Sequence, residues 1–288
     1  MTSTEGTSDR AVTGVTEDGA FRVIVARTTE TARATVEGQQ IEGENARNLA
    51  DVVSGTVLVR LTMAPDYRVQ GIVRGAGGKG TIVGDSHPDG TARGLMQRPD
   101  GLETVNLGKG ALLQMMRSLY NGQVARGVVE VPETGVSGAL MNYFQASEQI
   151  EGVAMVACSF DGDRVRAAGG YMVQLLPEVS RDPLEIMAAR LDADFSEREA
   201  VLDQLEASPE ALLSEILYGM PFAQTQDVTL GFGCQCSSVR VLNSLATLPK
   251  ADIEDLMSSN EPLHITCDYC REVYELSPKD LAGLLSSN

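Results

Sequence analysis

The amino-acid sequence predicts an α+β protein with an antiparallel-sheet N-terminal domain and packed helices, then a helical linker and a small C-terminal domain. Three observations support this prediction. Short strand-like runs separated by glycine-rich turns occupy most of the chain before Pro177. The composition then shifts to leucine, alanine and acidic residues at helical spacing. Four of the five cysteines lie near the C-terminus as two close pairs.

Length and composition limit the possible classes of protein. A chain of 288 residues can build a large core and one or two smaller units. No run approaches the ~20 apolar residues of a membrane-spanning helix. The net charge of −17 argues against a nucleic-acid partner, because phosphate binding requires patches of lysine and arginine. We therefore expect a protein that binds neither nucleic acid nor membrane.

The N-terminal part divides into a tail and a core domain. Residues 1–19 are mostly small, polar or acidic, and they predict a disordered tail. Residues 20–178 predict an α+β core domain, in which β-branched and apolar runs alternate with turns. The predicted strands are 21–26, 67–73, 80–85, 108–116, 124–131, 153–159 and 165–176, and the predicted helices are 44–62 and 140–149. Residues 85–90 are predicted to form a turn that leads into 91–96.

Three features of the core domain have ordinary structural interpretations. The segment 75–80 matches Gly-x-Gly-x-x-Gly, but a β-branched run follows where a dinucleotide site needs a helix. It predicts a hairpin turn. His87 has no neighbouring cysteine or repeated acidic motif, so we interpret it as a turn residue. Cys158 lies inside an apolar run and is interpreted as an inert core thiol.

Residues 179–226 predict a helical linker. The segment 183–217 has helical spacing of apolar residues, and Ser208 followed by Pro209 is typical of a helix start. Two interpretations stay open: a permanently packed helical subdomain, or a marginally stable linker whose apolar stripe is covered only while something holds it. The stripe consists of Leu184, Met187, Leu191, Leu212, Leu213, Ile216 and Leu217.

Residues 227–288 carry the four cysteines. Cys234 and Cys236 form Cys-Gln-Cys, Cys267 and Cys270 form Cys-Asp-Tyr-Cys, and thirty residues separate the pairs. Two close pairs joined by a spacer are typical of a four-thiolate zinc site. Structural disulfides and unrelated core thiols are the alternatives, and no recognisable signal peptide supports an oxidising compartment. His264 is either a spare ligand or an exposed strand residue, and four thiolates favour the second.

Local patterns predict the surroundings of these cysteines. The second pair lies between strand-like runs 263–266 and 272–276, which places it at a hairpin tip where backbone amides can point at the sulfurs. Short helices are predicted at 239–248 and 251–257, and Ser277 is expected to cap a last helix. So small a unit has few large apolar side chains. Metal binding would therefore supply much of its folding free energy, roughly 10–16 kcal/mol for comparable zinc sites.

The cysteine pattern resembles that of the redox-regulated 33-kilodalton heat-shock chaperones, which carry Cys-x-Cys, roughly thirty residues and Cys-x-x-Cys. The resemblance extends over about residues 21–285. Further similar motifs are Asp-Gly-Thr-Ala-Arg-Gly at 89–94, Gly-Lys-Gly at 108–110, Tyr-Phe-Gln-Ala-Ser-Glu-Gln at 143–149, and the run from Ala-Gly-Gly to Gln-Leu-Leu-Pro at 168–177.

The resemblance implies a redox-regulated, ATP-independent molecular chaperone, or holdase, of the cytoplasm. The reduced, Zn²⁺-bound monomer would be inactive. Oxidation would form the disulfides Cys234–Cys236 and Cys267–Cys270, release zinc and unfold the C-terminal region. The linker, expected to pack on the zinc unit, would then expose apolar surface that binds unfolding or oxidatively damaged clients, and the oxidised form would be a homodimer.

An enzyme and a non-catalytic interaction module are the other two classes of function. An enzyme is not expected, because the chain has two histidines, no recognisable nucleophile motif and a zinc site without an open position. The remaining alternative is a non-catalytic interaction module whose zinc is purely structural. Sensitivity to oxidants would distinguish this module from the redox-regulated chaperone.

Overall fold

The computed structural model describes residues 8–118, 122–177, 180–195, 197–258 and 261–286. It forms two compact units, Met1–Gly233 and Cys234–Asn288. The predicted α+β class is confirmed, with antiparallel sheets in both units. The boundary lies after Gly233 rather than before residue 227, because the residues before it pair with strands of the first unit.

Most predicted elements are present with bounds shifted by a few residues. The strands are β1 (Arg10–Thr16), β2 (Phe21–Arg27), β3 (Val69–Arg74), β4 (Thr81–Ser86), β5 (Thr91–Gln97), β6 (Leu112–Ser118), β7 (Val124–Glu130), β8 (Gly152–Asp161), β9 (Arg164–Leu175), β10 (Phe222–Thr229), β11 (Gly231–Phe232), β12 (Leu263–Thr266) and β13 (Val273–Leu276). The helices are α1 (Thr29–Gln39), α2 (Gly43–Thr62), α3 (Gly135–Tyr143), α4 (Asp182–Asp194), α5 (Arg198–Ala207), α6 (Pro209–Ile216), α7 (Ser238–Leu245), α8 (Lys250–Ser258) and α9 (Pro278–Ser286).

A five-stranded antiparallel sheet in the order β10-β1-β2-β9-β8 forms one layer of the first unit. Its strand β1 corrects the prediction of a disordered tail through residue 19. Arg10–Thr16 pairs with β2 on one side and β10 on the other, and Ala11 and Val12 are buried. The tail prediction rested on polar composition, whereas pairing on both sides satisfies the backbone and buries a few small apolar residues. Residues 1–7 lie outside the described residues.

The second sheet of this unit has six strands in the order β11-β5-β4-β3-β6-β7. All neighbours are antiparallel except the short β11, which pairs in parallel with β5. The predicted hairpin turn between β3 and β4 is confirmed. Helix α2 packs against this sheet so closely that a Cβ atom on Gly84 would lie 2.6 Å from Thr56 Oγ1. Glycine at this position therefore permits the helix to approach the sheet.

His87 is a turn residue, as predicted, but it is also buried. Its Nε2 lies 3.2 Å from Asp85 Oδ2, and Arg68 and Arg93 donate hydrogen bonds to the same carboxylate. Burial alone would raise the pKa of Asp85, yet the hydrogen bonds from His87 and Arg68 hold it well below its usual range. These hydrogen bonds to the Asp85 carboxylate therefore fix the β4–β5 hairpin. The prediction for Cys158 is confirmed: it is 1% exposed, and burial raises the pKa of its thiol to about 12.

The predicted linker helices α4, α5 and α6 are present, and their stripe is covered by the first unit itself. Its buried residues belong to one apolar cluster with the five-stranded sheet, because α5 packs on β8 and β9 and α6 packs on β1 and β2. Amphipathic spacing indicates that a face is covered, not which surface covers it. The buried linker members of this cluster are Met187, Leu191, Phe195, Val201, Leu202, Leu205, Leu212, Leu213, Ile216 and Leu217.

One ion pair of the linker joins a half-buried arginine to a buried carboxylate. Arg198, the first residue of α5, donates a hydrogen bond from Nη2 to Asp51 Oδ2 of α2. In three further pairs, Arg10–Glu210, Arg166–Glu206 and Arg181–Glu151, the carboxylate is also exposed, by 35–41%. Exposed pairs contribute about 0–1 kcal/mol each, so burial of the apolar stripe dominates the docking of the linker.

The raised pKa of Asp51 predicts how the free energy of unfolding depends on pH. Burial raises its pKa to about 6, although Arg198 opposes the shift. Because this pKa is higher in the folded than in the unfolded chain, the free energy of unfolding should rise as pH falls through 6. Between pH 7 and pH 5 the gain from this group is about 1 kcal/mol. Urea unfolding of the wild type and Asp51→Asn at both pH values measures it, and equal pH slopes in the two proteins would contradict the assignment.

Candidate metal centre

The hairpin β12–β13 positions the second cysteine pair. The strands pair in register from Leu263 with Leu276 to Thr266 with Val273. At the tip, the Cys267 N–H donates to Glu272 O at 2.8 Å, and the Arg271 N–H donates to Cys267 O at 2.9 Å. These two hydrogen bonds close the turn that carries both cysteines. The hairpin predicted from the sequence is confirmed.

The first cysteine pair lies between β11 and α7. Cys234 and Cys236 directly precede Ser237, whose Oγ accepts a hydrogen bond from the Arg240 N–H and so caps α7. Serine is among the residues that best satisfy the free amides at a helix start. The cap fixes where α7 begins, immediately after Cys236.

The four cysteine sulfurs form one cluster. Every pair of their Sγ atoms lies within 4.8 Å, and no histidine or carboxylate joins the group among the described residues. The Cys234 and Cys267 sulfurs are 3.7 Å apart, and those of Cys236 and Cys270 are 3.3 Å apart. Thiolates bound tetrahedrally at about 2.3 Å from Zn²⁺ would be about 3.8 Å apart, so this donor set fits such an ion. The cluster can hold a metal ion.

Two hydrogen-bond donors support the sulfurs. The Tyr274 hydroxyl on β13 donates to Cys236 Sγ at 3.0 Å, and the Glu272 N–H donates to the Cys270 sulfur. The contact with Cys236 raises the pKa of Tyr274 above its usual value. Backbone donors at the hairpin were predicted, but Tyr274 was not. Its position on the strand that follows the second pair was the available signal.

His264 lies on β12 with an exposed side chain, outside the sulfur cluster. Its spacing from the second cysteine pair allowed either a ligand or a strand residue. The structure confirms the predicted strand residue.

The second unit has a small apolar core. Of its described residues, the large apolar side chains that are buried are Ile253, Leu276 and Leu281. Val239 and Val273 are more than half exposed, at 63% and 56%. Such a core is too small to offset the conformational entropy of the whole unit. The sulfur cluster is therefore placed where a bound metal would contribute most to folding.

No helix in the described part of the chain is sufficiently long and apolar to cross a membrane.

Known proteins resemble this chain over nearly its whole length. It is 26% identical over 288 residues to the 33 kDa chaperonin of Syntrophotalea carbinolica, covering 96% of this chain and 99% of the relative. The 33 kDa chaperonin of Streptococcus gordonii is 27% identical over 293 residues, with coverage of 96% and 98%. Both matches thus cover nearly the whole chain and are too long to leave out the C-terminal unit.

A solved structure shows the same fold. The crystal structure of the 33 kDa chaperonin, or heat shock protein 33 homolog, from Thermotoga maritima superposes with a TM-score of 0.81 at 22% identity. The superposition covers 97% of this chain and 98% of that structure. The family model described as Hsp33 protein matches residues 9–277. The chain belongs to the Hsp33 family.

Proposed function

We propose that this protein is a redox-regulated, ATP-independent chaperone, a holdase that binds unfolding proteins and prevents their aggregation. The observation that carries the proposal is the four-sulfur cluster, which closes a unit with few buried apolar side chains. Loss of the cluster removes the main source of stability in that unit. A thiol-specific oxidant therefore acts directly on folding.

The metal ligands of the resting form would be Cys234, Cys236, Cys267 and Cys270. When bound, Zn²⁺ would hold all four sulfurs as thiolates and shield them from solvent. Hydrogen peroxide would oxidise Cys267 and Cys270 to a disulfide: two thiolate sulfurs lose two electrons and form one S–S bond, and the peroxide is reduced to two hydroxide ions. The remaining pair binds metal weakly, and Cys234 and Cys236 would be oxidised in the same way.

This pairing differs from the shortest sulfur contacts, which join Cys234 with Cys267 and Cys236 with Cys270. The shortest contacts depend on the folded unit, since more than thirty residues separate their members. The close pairs stay near each other in an unfolded chain, because short loops cost little entropy to close. Disulfides formed as the unit unfolds would therefore join neighbours in sequence.

Unfolding of the second unit would destabilise the linker through the strands that connect the two. The strand β10 connects α6 with β11, and β11 pairs with β5 at only Gly231 and Phe232 before Cys234 follows. We infer that so short a pairing frays once the second unit unfolds, and that β10 and the linker helices then separate from the sheet. The apolar residues uncovered on the sheet include Val12, Val23, Val25, Tyr171 and Val173.

Clients would be unfolded or oxidatively damaged proteins in the cytoplasm. The proposed resting state is a monomer, and the oxidised state is a homodimer. We propose neither nucleic acid nor membrane as a partner and no catalytic activity. A purely structural metal in an interaction module is the second candidate, and one observation favours it: the linker stripe packs within the first unit, with only Leu184 partly exposed.

The test of the proposed function treats the zinc-loaded chain with peroxide at mildly elevated temperature and maps its disulfides by mass spectrometry. We expect the pairs Cys234–Cys236 and Cys267–Cys270, together with protection of a heat-denatured client by the oxidised form only. Cys158→Ala is the control that should behave like the wild type. Oxidised protein that gives no protection would support the structural-metal candidate.

Tyr274→Phe should weaken metal binding without removing a ligand. The variant loses the hydroxyl that donates to Cys236 Sγ, and loss of such a supporting contact lowers metal affinity by about 10–100-fold. Competition with a chromophoric zinc chelator measures the change. Tyr218→Phe is the matched control, because this side chain is 75% exposed in the other unit. Equal affinities in the wild type and Tyr274→Phe would show that the contact does not support the site.

A further inference from the structure

Two clefts of the first unit meet at the side chain of Arg198. One has a volume of about 390 Å³ and lies between α3, β8 and the linker helix α4. The other, of about 370 Å³, lies between α2 and the chain entering α3. Thr134, Ser137 and Arg198 line both clefts. The guanidinium of Arg198 therefore occupies the position where the two clefts join.

Arg198 binds there to groups of the core domain. Its Nη2 pairs with Asp51 Oδ2 and donates to the Val156 carbonyl oxygen at 3.0 Å. Asp51 is only 5% exposed, and its second oxygen, Oδ1, has no hydrogen-bond partner. Asn48 Nδ2 and Arg198 Nε are also without partners. Arg198 thus satisfies this buried polar site incompletely, and each unmatched group costs free energy.

The clefts have the chemistry of a receptor for a basic side chain. Arg198 is the single cation among their described lining residues, which include four acidic residues, Asp51, Glu44, Glu133 and Asp192. Of these, Asp51 is the ion-pair partner of Arg198, and Arg47 also acts on its charge. Apolar walls adjoin the acidic groups. The walls contributed by the core domain are Met141, Val153, Met155 and Tyr171. An extended segment with arginine or lysine between apolar residues would complement both parts, because the carboxylates attract its charge and the walls bury its apolar side chains.

We propose that Asp51 and the Val156 carbonyl form a receptor for a basic side chain of an unfolding client, and that Arg198 is its internal occupant in the resting chain. The inference rests on the proposed function. Arg198 is the first residue of α5, so it leaves the receptor when the linker helices separate from the core. The net charge of −17 would add long-range attraction for basic client segments.

The test uses the oxidised full chain and short, unstructured apolar peptides carrying a fluorescent label and a central arginine. Matched peptides carry glutamine at that position. Fluorescence anisotropy should show about tenfold tighter binding of the arginine peptide by the wild type. Asp51→Asn should reduce the difference to about twofold or less. Asp203→Asn, whose side chain is 67% exposed on the linker, is the control that should keep it.

A second measurement does not depend on a variant that must fold. Free arginine should displace the arginine peptide from the wild type and leave the glutamine peptide bound. If the oxidised wild type protects a denatured client but binds both peptides equally, the receptor is wrong and the proposed chaperone function stands. If the oxidised wild type gives no protection, the proposed function fails, and the role assigned to the receptor fails with it.

Discussion

Removal of the metal, or substitution of one ligand as in Cys267→Ser, should unfold Cys234–Asn288 and leave the core domain, residues 20–178, folded. The second unit buries few large apolar side chains, whereas zinc binding contributes roughly 10–16 kcal/mol in comparable small sites. The first unit has its own apolar clusters on both of its sheets. Amide hydrogen exchange after chelation should therefore show lost protection in β12, β13 and α9 but not in β2 or β9.

The control for this experiment is the fifth cysteine. Cys158 is buried in the first unit, distant in sequence from the four clustered sulfurs, so Cys158→Ala should keep the metal and the protection of the second unit. Retained protection in β12 and β13 after complete chelation would contradict the account. It would mean that the second unit folds on its apolar core alone.

Leu202→Ala should loosen the linker without any oxidant. Leu202 on α5 is fully buried in the cluster that joins the linker to the five-stranded sheet. Truncation of a buried leucine costs about 2–5 kcal/mol, which is a large part of the stability available to three short helices. We expect faster proteolysis within α4–α6 and partial protection of a denatured client by the reduced, zinc-loaded variant.

Ile186→Ala is the matched control, because Ile186 on α4 is 72% exposed and its loss removes little buried surface. This variant should remain closed and inactive until oxidised. If Leu202→Ala opens the linker but gives no protection, then the surface beneath the linker does not bind clients. That outcome would show that release of the linker is not sufficient for chaperone function.

Much of the fold follows from patterns that are local in sequence. The hairpin around Gly75–Gly80, the helix α2 and the capped start of α6 depend on neighbouring residues, and all three were predicted. The strand β1 was missed because residues 1–19 were judged together by their polar composition, although β1 itself contains valine and threonine and pairs with the neighbouring β2. Its other partner, β10, lies more than two hundred residues further along the chain and has no local signal.

The same distinction applies to the sites. The sulfur cluster was predicted because each close pair places two sulfurs within a few residues of each other. The pairing of Asp51 with Arg198 spans 147 positions, and neither residue stands out in the sequence. The linker stripe was predicted, but the surface that covers it was not, because an amphipathic helix specifies an apolar partner without identifying it.

The most direct test follows metal release, free thiols and client protection over time in one sample treated with peroxide. The account predicts that two thiols are lost as zinc appears in solution, and that protection of a heat-denatured client rises only afterwards, as the linker becomes sensitive to protease. Protection that precedes zinc release would contradict the account. So would complete zinc release with an intact linker and no gain in protection.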